Sequence, residues 1–313
     1  MSLIQTRIFP VLVSITLYTL LTFVPVTESY GAENEIQVQT DAARTLRLLL
    51  VPEKNSFEQR RRYKYITDYL SQKMEINVTV EMIANYSEVS TAFQHGSADA
   101  GFFGSFSYVL THAKTGIEPI ARPVWLDGTS TYYGMIFVRK DSGIKNTNDM
   151  KGKNFAFVDK ATTAGWLLPL QFFHVNGIED FNNWFAETYF TGTHEDAIYD
   201  VLNKKADIGA AKNTVFYRLA EKDSRIKDEL QVLATSPKVP SNTLSVSNKL
   251  DKSIIKQLKN TLLQMEQDKQ GQEVLKKFKA IKFIETTVDD YNPVFEYSNT
   301  VSLDLRKYNY INE

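Results

Sequence analysis

The chain has 313 residues, 43% of them hydrophobic, with 36 Lys and Arg against 37 Asp and Glu, a net charge of −1. This is enough apolar mass for one large domain or two lobes with their own cores, and the charge balance gives nucleic acid or an acidic membrane surface no electrostatic hold. The absence of cysteine excludes disulfides, a thiolate nucleophile, a cysteine metal cluster and a lipid anchor on an N-terminal cysteine.

Residues 1–31 have the pattern of an export signal. Arg7 is the lone positive charge, Ile8 to Val26 is apolar or hydroxylic apart from Pro10 and Pro25, and Ser29-Tyr30-Gly31 offers small residues at a cleavage site. A cleaved signal delivers the chain to the periplasm; an uncleaved anchor would also leave the remainder outside the cytoplasm.

After a polar stretch, strands and helices alternate. Strand patterns are expected at Leu46–Val51, Ile76–Ile83, Ala98–Phe103 and Glu118–Val124, with helices at Phe57–Lys73, Tyr86–His95 and Ser107–Thr115 between them. The apolar face of the first helix is read as Phe57, Tyr65, Ile66, Tyr69 and Leu70. A long strand, Thr131–Arg139, opens a second series: strand Phe155–Val158, helix Gly165–Val175, strand Glu187–Phe190, a helix carrying Ala197, Ile198, Val201 and Leu202 on one face, and strand Ala206–Ala211. Helix Thr214–Glu221 and strand Leu230–Thr235 complete it. Pro237 and Pro240 bracket a crossing, followed by strand Leu244–Val246 and helix Asp251–Gln267. Strands separated by helices predict mostly parallel sheets covered on both faces. The expected fold is α/β with two lobes: residues 44–132 with 241–293 form the first, 133–240 the second, and 294–313 a polar tail that could pack or remain loose. Ligands of such folds bind at strand carboxyl ends and between lobes.

The loops after the strands are rich in hydroxyls: Ser105 and Ser107, Thr129-Ser130-Thr131, Thr162-Thr163 and Thr193-His194. Hydroxyls beside helix N-terminal N–H groups make a neutral cage for an oxyanion. Each cluster alone reads better as an ordinary N-cap than as an anion site, and several on successive strand ends leave both readings open. His194 follows a buried-strand pattern and opens a helix, where backbone N–H groups favour negative charge. No histidine lies four residues on, so a helical zinc motif fails, and phosphate-loop, dinucleotide and nucleophile-elbow motifs are absent. Tyr86 and Tyr132 could be core or cleft wall, while Tyr133 is assigned to the core.

Ala98-Asp99-Ala100-Gly101-Phe102-Phe103-Gly104, Asp127-Gly128 to Tyr132, Lys140 to Ile144, Asn148 to Lys153, Thr162 to Gly165, Gly192-Thr193-His194, Ala206-Asp207, Ser236-Pro237 with Pro240, and Asp289 to Pro293 occur in an order that resembles the phosphate/phosphite/phosphonate-binding proteins of ABC importers. The resemblance implies a type 2 periplasmic binding protein that takes a small oxyanion, works with an inner-membrane permease, acts as a monomer, and has neither catalytic activity nor a cofactor. It places Tyr86, Tyr132, Thr162, Thr163 and His194 at the ligand, and Ser105 joins them as a candidate from the hydroxyl-rich loops. The turn Thr162-Thr163-Ala164-Gly165 departs from the family's usual Ser-Gly ending, removing one hydroxyl. Members that bind aminoalkyl phosphonates hold the ammonium with two carboxylates. The matching positions here are Thr214 and Asn242, so the expected ligand is phosphate, phosphite or a simple alkyl phosphonate. The alternative is a sensory module of the same fold that signals to a membrane partner.

Overall fold

In the computed structural model, residues 45–51, 56–83, 88–309 and 311–312 are described; the expected signal segment and Tyr86 lie outside them. The first series is β1 (Thr45–Leu50), α1 (Ser56–Met74), β2 (Asn77–Met82), α2 (Glu88–Gln94), β3 (Ala100–Phe103), α3 (Ser105–Thr115) and β4 (Glu118–Trp125). A short β5 (Thr131–Tyr132) leads to β6 (Gly134–Arg139) and β7 (Asn154–Phe157). A π-helical turn at Thr163–Leu167 runs into α4 (Leu168–Val175), followed by α5 (Phe181–Trp184), β8 (Glu187–Phe190), α6 (His194–Leu202) and β9 (Ile208–Lys212). Then come α7 (Asn213–Ala220), α8 (Arg225–Glu229), β10 (Leu230–Thr235), β11 (Val239–Pro240), β12 (Thr243–Val246), α9 (Lys252–Leu263), α10 (Lys269–Phe278), β13 (Ala280–Glu285) and α11 (Asn292–Thr300).

Two main sheets result, ordered β13-β4-β12-β3-β1-β2 and β10-β6-β9-β7-β8. In the first, β1 to β4 run in one direction, and β12 enters antiparallel between β3 and β4. The second repeats the device: β7 to β10 run in one direction, and β6 lies antiparallel between β9 and β10. The expected parallel order therefore holds for the strand–helix repeats, because parallel neighbours need such crossovers. The interrupting strand in each sheet is the one that has just crossed from the other series. The crossings also pair with each other. β5 and β11 form an antiparallel ribbon with Val239 opposite Tyr132, extended by Ser241 N–H donating to Ser130 O at 3.0 Å. The single long strand expected over Thr131–Arg139 is thus two strands, broken at the half-buried Tyr133.

Three apolar clusters fill the spaces between layers. One packs α1, α9 and α10 against the first sheet through Tyr63, Ile66, Leu70, Leu258, Leu262 and Phe278. Another fills the α6–α7 side of the second sheet with Phe137, Ile198, Val201 and Phe216. The third runs through both sheets, from Leu49, Phe103 and Phe106 to Ile136, Phe155 and Phe173. The buried stripe of α1 is Tyr63, Ile66, Tyr69, Leu70 and Met74, whereas Phe57 is 73% exposed; the helix is rotated relative to the face read from its first apolar residue. Beyond residue 267, α10, β13 and α11 were not anticipated. Val294 and Tyr291, at the start of α11, are wholly buried in the shared cluster, so the final helix belongs to the core.

Candidate functional site

The Thr162-Thr163-Ala164-Gly165 turn follows β7 and is fixed by close packing. A Cβ on Gly165 would lie 2.4 Å from Val158 Cβ, so only glycine lets the turn settle on the strand end. Thr162 N–H and Oγ1 both bond to Asp159 O, at 2.9 and 2.7 Å. The Thr162 hydroxyl therefore closes its own turn and is not paired with that of Thr163, contrary to the expectation that both present hydroxyls together. Ala164 is buried in the shared core, where an added hydroxyl would need a partner.

Thr163 faces the first sheet's elements. Its Oγ1 accepts from Phe106 N–H at 2.9 Å and from the Tyr132 hydroxyl at 2.9 Å. With two donors aimed at its oxygen, the Thr163 proton is left to donate elsewhere. Phe106 lies in the first turn of α3, whose N-cap Gly104 supplies no side chain and whose first turn holds no acid. No acid in that first turn offsets the positive end of the helix. Ser105 is buried beside it and donates to Pro240 O at 2.6 Å, tying α3 to the return crossing. Burial raises the Tyr132 phenol's pKa, with hydrogen bonds to Ser105 and Thr163 pulling the other way, so the phenol stays protonated.

A cation enters the same group from the second sheet. Lys212, the last residue of β9, holds its Nζ 4.0 Å from the Tyr132 ring centroid and donates to Asn242 Oδ1 at 3.1 Å. Its backbone N–H points to His194 Nδ1 at 3.4 Å. Accepting there makes Nδ1 the bare nitrogen and Nε2–H the donor of a neutral ring. Burial first, and the Lys212 charge second, push the imidazole down to about 3, which agrees with that tautomer. Asn242 adopts a φ of +29°, a region asparagine tolerates better than branched residues, and its Nδ2 reaches Tyr63 OH at 3.4 Å.

The α6 terminus differs from the expectation. Thr193 caps it by accepting from Asp196 N–H at 3.1 Å, and its first turn carries Glu195 and Asp196, with Glu195 paired to Arg218 at 2.6 Å. The helix end supplies His194, but its dipole is already matched by acids, whereas the first turn of α3 holds none. Thr214 is half-buried in the first turn of α7, and no hydrogen bond or ring contact among the described residues joins it to this group. Among the described residues no three His, Asp or Glu side chains gather as a metal site, and no helix is long and apolar enough to cross a membrane.

Residues 48–291 match the family described as the ABC transporter, phosphonate, periplasmic substrate-binding protein. The chain belongs to that family. It is the substrate-binding component of a transporter and not an enzyme, it acts outside the cytoplasm, and its partners are a small ligand and a membrane permease. A relative from Prochlorococcus marinus, a probable ABC transporter phosphite binding protein named PhnD1, is 22% identical over 264 residues, covering 81% of this chain and 88% of its own. The same bacterium's PhnD1 in complex with methylphosphonate shares the fold, with a TM-score of 0.71 at 20% identity, over 83% of this chain and 99% of that one. A binding-protein component of an ABC phosphonate transporter from Pseudomonas aeruginosa gives a TM-score of 0.74 at 20% identity, over 83% and 87% of the two chains.

Two parts of the site were missed in the sequence. Lys212 lies at the end of an apolar strand run, Ile208-Gly209-Ala210-Ala211, and a single terminal lysine there gives no signal of pointing inward. The second is the tail. Lys114 Nζ, on α3, donates to Tyr308 O at 2.8 Å, and the Tyr308 hydroxyl donates to Lys160 O at 3.1 Å. Lys160 Nζ donates to Ile311 O at 3.0 Å, and Asn312 Nδ2 to Asp159 Oδ2 at 2.6 Å. Tyr308, Ile311 and Asn312 thus tie α3 to the 159–163 loop that carries Thr163. No sequence pattern marks such a strap.

Proposed function

We propose that the protein binds a phosphonate, phosphite or phosphate-like oxyanion between its lobes, does not take an aminoalkyl phosphonate, and hands the ligand to its permease. The observation that carries this reading is the convergence on Thr163 of the Phe106 N–H, from an acid-free helix terminus, and the Tyr132 hydroxyl. The Nε2–H of His194 and the amide of Asn242 join the Thr163 hydroxyl in this lining, Tyr86 is assigned to it by the family pattern, and Ser105, whose proton goes to Pro240 O, acts by holding α3 against the return crossing. Such groups hold an oxyanion through hydrogen bonds strengthened by its charge. Thr162 acts by fixing the turn that presents Thr163. The phosphite named for one relative and the methylphosphonate held by another belong to the same chemical class.

The lobes in this reading are 44–132 with 241–293, and 133–240; the β5–β11 ribbon is their hinge, and the ligand favours the closed form by touching both sides. Segment 1–31 is removed on export and the mature chain works as a monomer. A thermal-shift panel on protein unfolded, stripped and refolded tests the ligand class with phosphate, phosphite, methylphosphonate, 2-aminoethylphosphonate and sulfate. A ligand at a hundred times its Kd adds about 2.7 kcal/mol, or several degrees at this size. A response to phosphite or methylphosphonate supports the reading; no response to any oxyanion refutes it.

A further inference from the structure

We infer that Lys212 is the residue that sets the charge of the ligand: it selects oxyanions whose negative charge is not offset by an ammonium within the same molecule. The inference rests on the oxyanion reading above and adds a determinant to it. Lys212 is the end residue of a central strand, half-buried, and reaches across to Asn242 and Tyr132 on the crossings that flank the first sheet. The two groups that hold its ammonium from that side, an amide oxygen at 3.1 Å and an aromatic face at 4.0 Å, are neutral. Both are also what a ligand ammonium would seek beside the Tyr132–Thr163 pair: a carbonyl oxygen and a ring face. The chain's own ammonium already fills that position. A second cation brought into the group would sit close to the first in a setting of reduced dielectric, where like charges repel strongly. An oxyanion without an ammonium meets attraction instead.

The geometry changes what a charge-reversal experiment would report. Asn242→Asp would place a carboxylate at the 3.1 Å position of the present amide oxygen and pair with Lys212 itself. Thr214 is on α7, and among the described residues no hydrogen bond or ring contact joins it to the group. Adding acids at these two positions therefore leaves aminophosphonate binding weak as long as Lys212 remains.

The decisive experiment measures binding of methylphosphonate and 2-aminoethylphosphonate by calorimetry to the wild type, Lys212→Met, Lys212→Arg, and Lys212→Met combined with Asn242→Asp. Circular dichroism and melting temperature verify that each variant is folded. The wild type and Lys212→Arg should prefer methylphosphonate. Lys212→Met should reduce that preference at least tenfold, equivalent to about 1.4 kcal/mol, and the double variant should reduce it further by gaining affinity for the amino compound. A folded Lys212→Met with the wild-type preference overturns the inference while leaving the oxyanion reading in place. A wild type that binds 2-aminoethylphosphonate as well as methylphosphonate also overturns it. A wild type that binds neither ligand, nor phosphite, overturns both.

Discussion

Replacing Thr163 with valine keeps the side-chain shape and removes the one oxygen that accepts from both the Phe106 N–H and the Tyr132 hydroxyl, each at 2.9 Å. Phe106 and Tyr132 are buried, at 0% and 4% exposure, so water has little access to the two donors. A buried donor left without a partner costs about 1–3 kcal/mol, which gives about 2–6 kcal/mol for the pair. At about 2 °C per kcal/mol for a protein of this size, the melting temperature should fall by roughly 4–12 °C. Thr163→Ser separates the oxygen from the methyl group. It retains the acceptor and loses about 1 kcal/mol of apolar burial, so its melting temperature should lie within a few degrees of the wild type. The two bonds also join segments of different sheets, so the valine variant should bind its oxyanion more weakly than the serine variant. Differential scanning calorimetry of the three proteins decides the matter. If the valine variant melts within about 2 °C of the serine variant, the Thr163 oxygen is not the shared acceptor, and the reasoning about the site fails with it.

Gly165→Ala should destabilise the chain by about 1–3 kcal/mol, because the new methyl would lie 2.4 Å from Val158 Cβ and Cγ2; denaturant unfolding measures this, and a neutral result would mean the turn does not rest on the strand end. His194 has its pKa lowered from 6.5 to about 3 in the folded chain, so the unfolded state takes up the proton first. Its contribution to stability is complete above the unfolded value and declines as pH falls toward 3, with a slope of at most about 1.4 kcal/mol per pH unit. His194→Asn, which keeps an acceptor for the Lys212 N–H, should lose this dependence; parallel stability curves for the two proteins between pH 7 and 4 would contradict the assignment. Ending the chain after Arg306 removes the hydrogen bonds of Tyr308, Ile311 and Asn312 to Lys114, Lys160 and Asp159. Amide exchange in residues 159–163 should then accelerate and ligand affinity fall, and unchanged exchange would show that the strap does not hold the loop.

The sequence determined the alternation of strands and helices up to residue 267, because apolar periodicity at 2 or 3.6 residues reflects one-sided burial and is local in the chain. It also determined the family, through the order of short motifs, and it named Ser105, Tyr132 and Thr163, which hydrogen bonds join in the structure. Its failures have a common cause. Ser105, Tyr132, Thr163 and His194 could be named as candidates, but the sharing of one hydroxyl oxygen between Phe106 N–H and Tyr132 depends on contacts 57 and 31 residues apart in the chain. Thr162 and Thr163 are adjacent and chemically alike, yet one closes its own turn and the other faces the opposite sheet; a turn's orientation follows from what it packs against, here Val158 beneath Gly165. The α1 stripe was misread at Phe57 for the same reason, since a helix's rotation is fixed by its neighbours. Helix α10 carried a legible signal in Val274, Leu275 and Phe278, whereas β13 did not: its burial does not alternate cleanly because it is the edge strand of the sheet. Lys212 and the C-terminal strap were decided by tertiary structure alone. Whether a lysine at a strand end points to solvent or into a shared group, and whether a polar tail docks, depend on which partners the fold brings within hydrogen-bond reach. That information is carried by contacts between distant segments, and local pattern does not encode it.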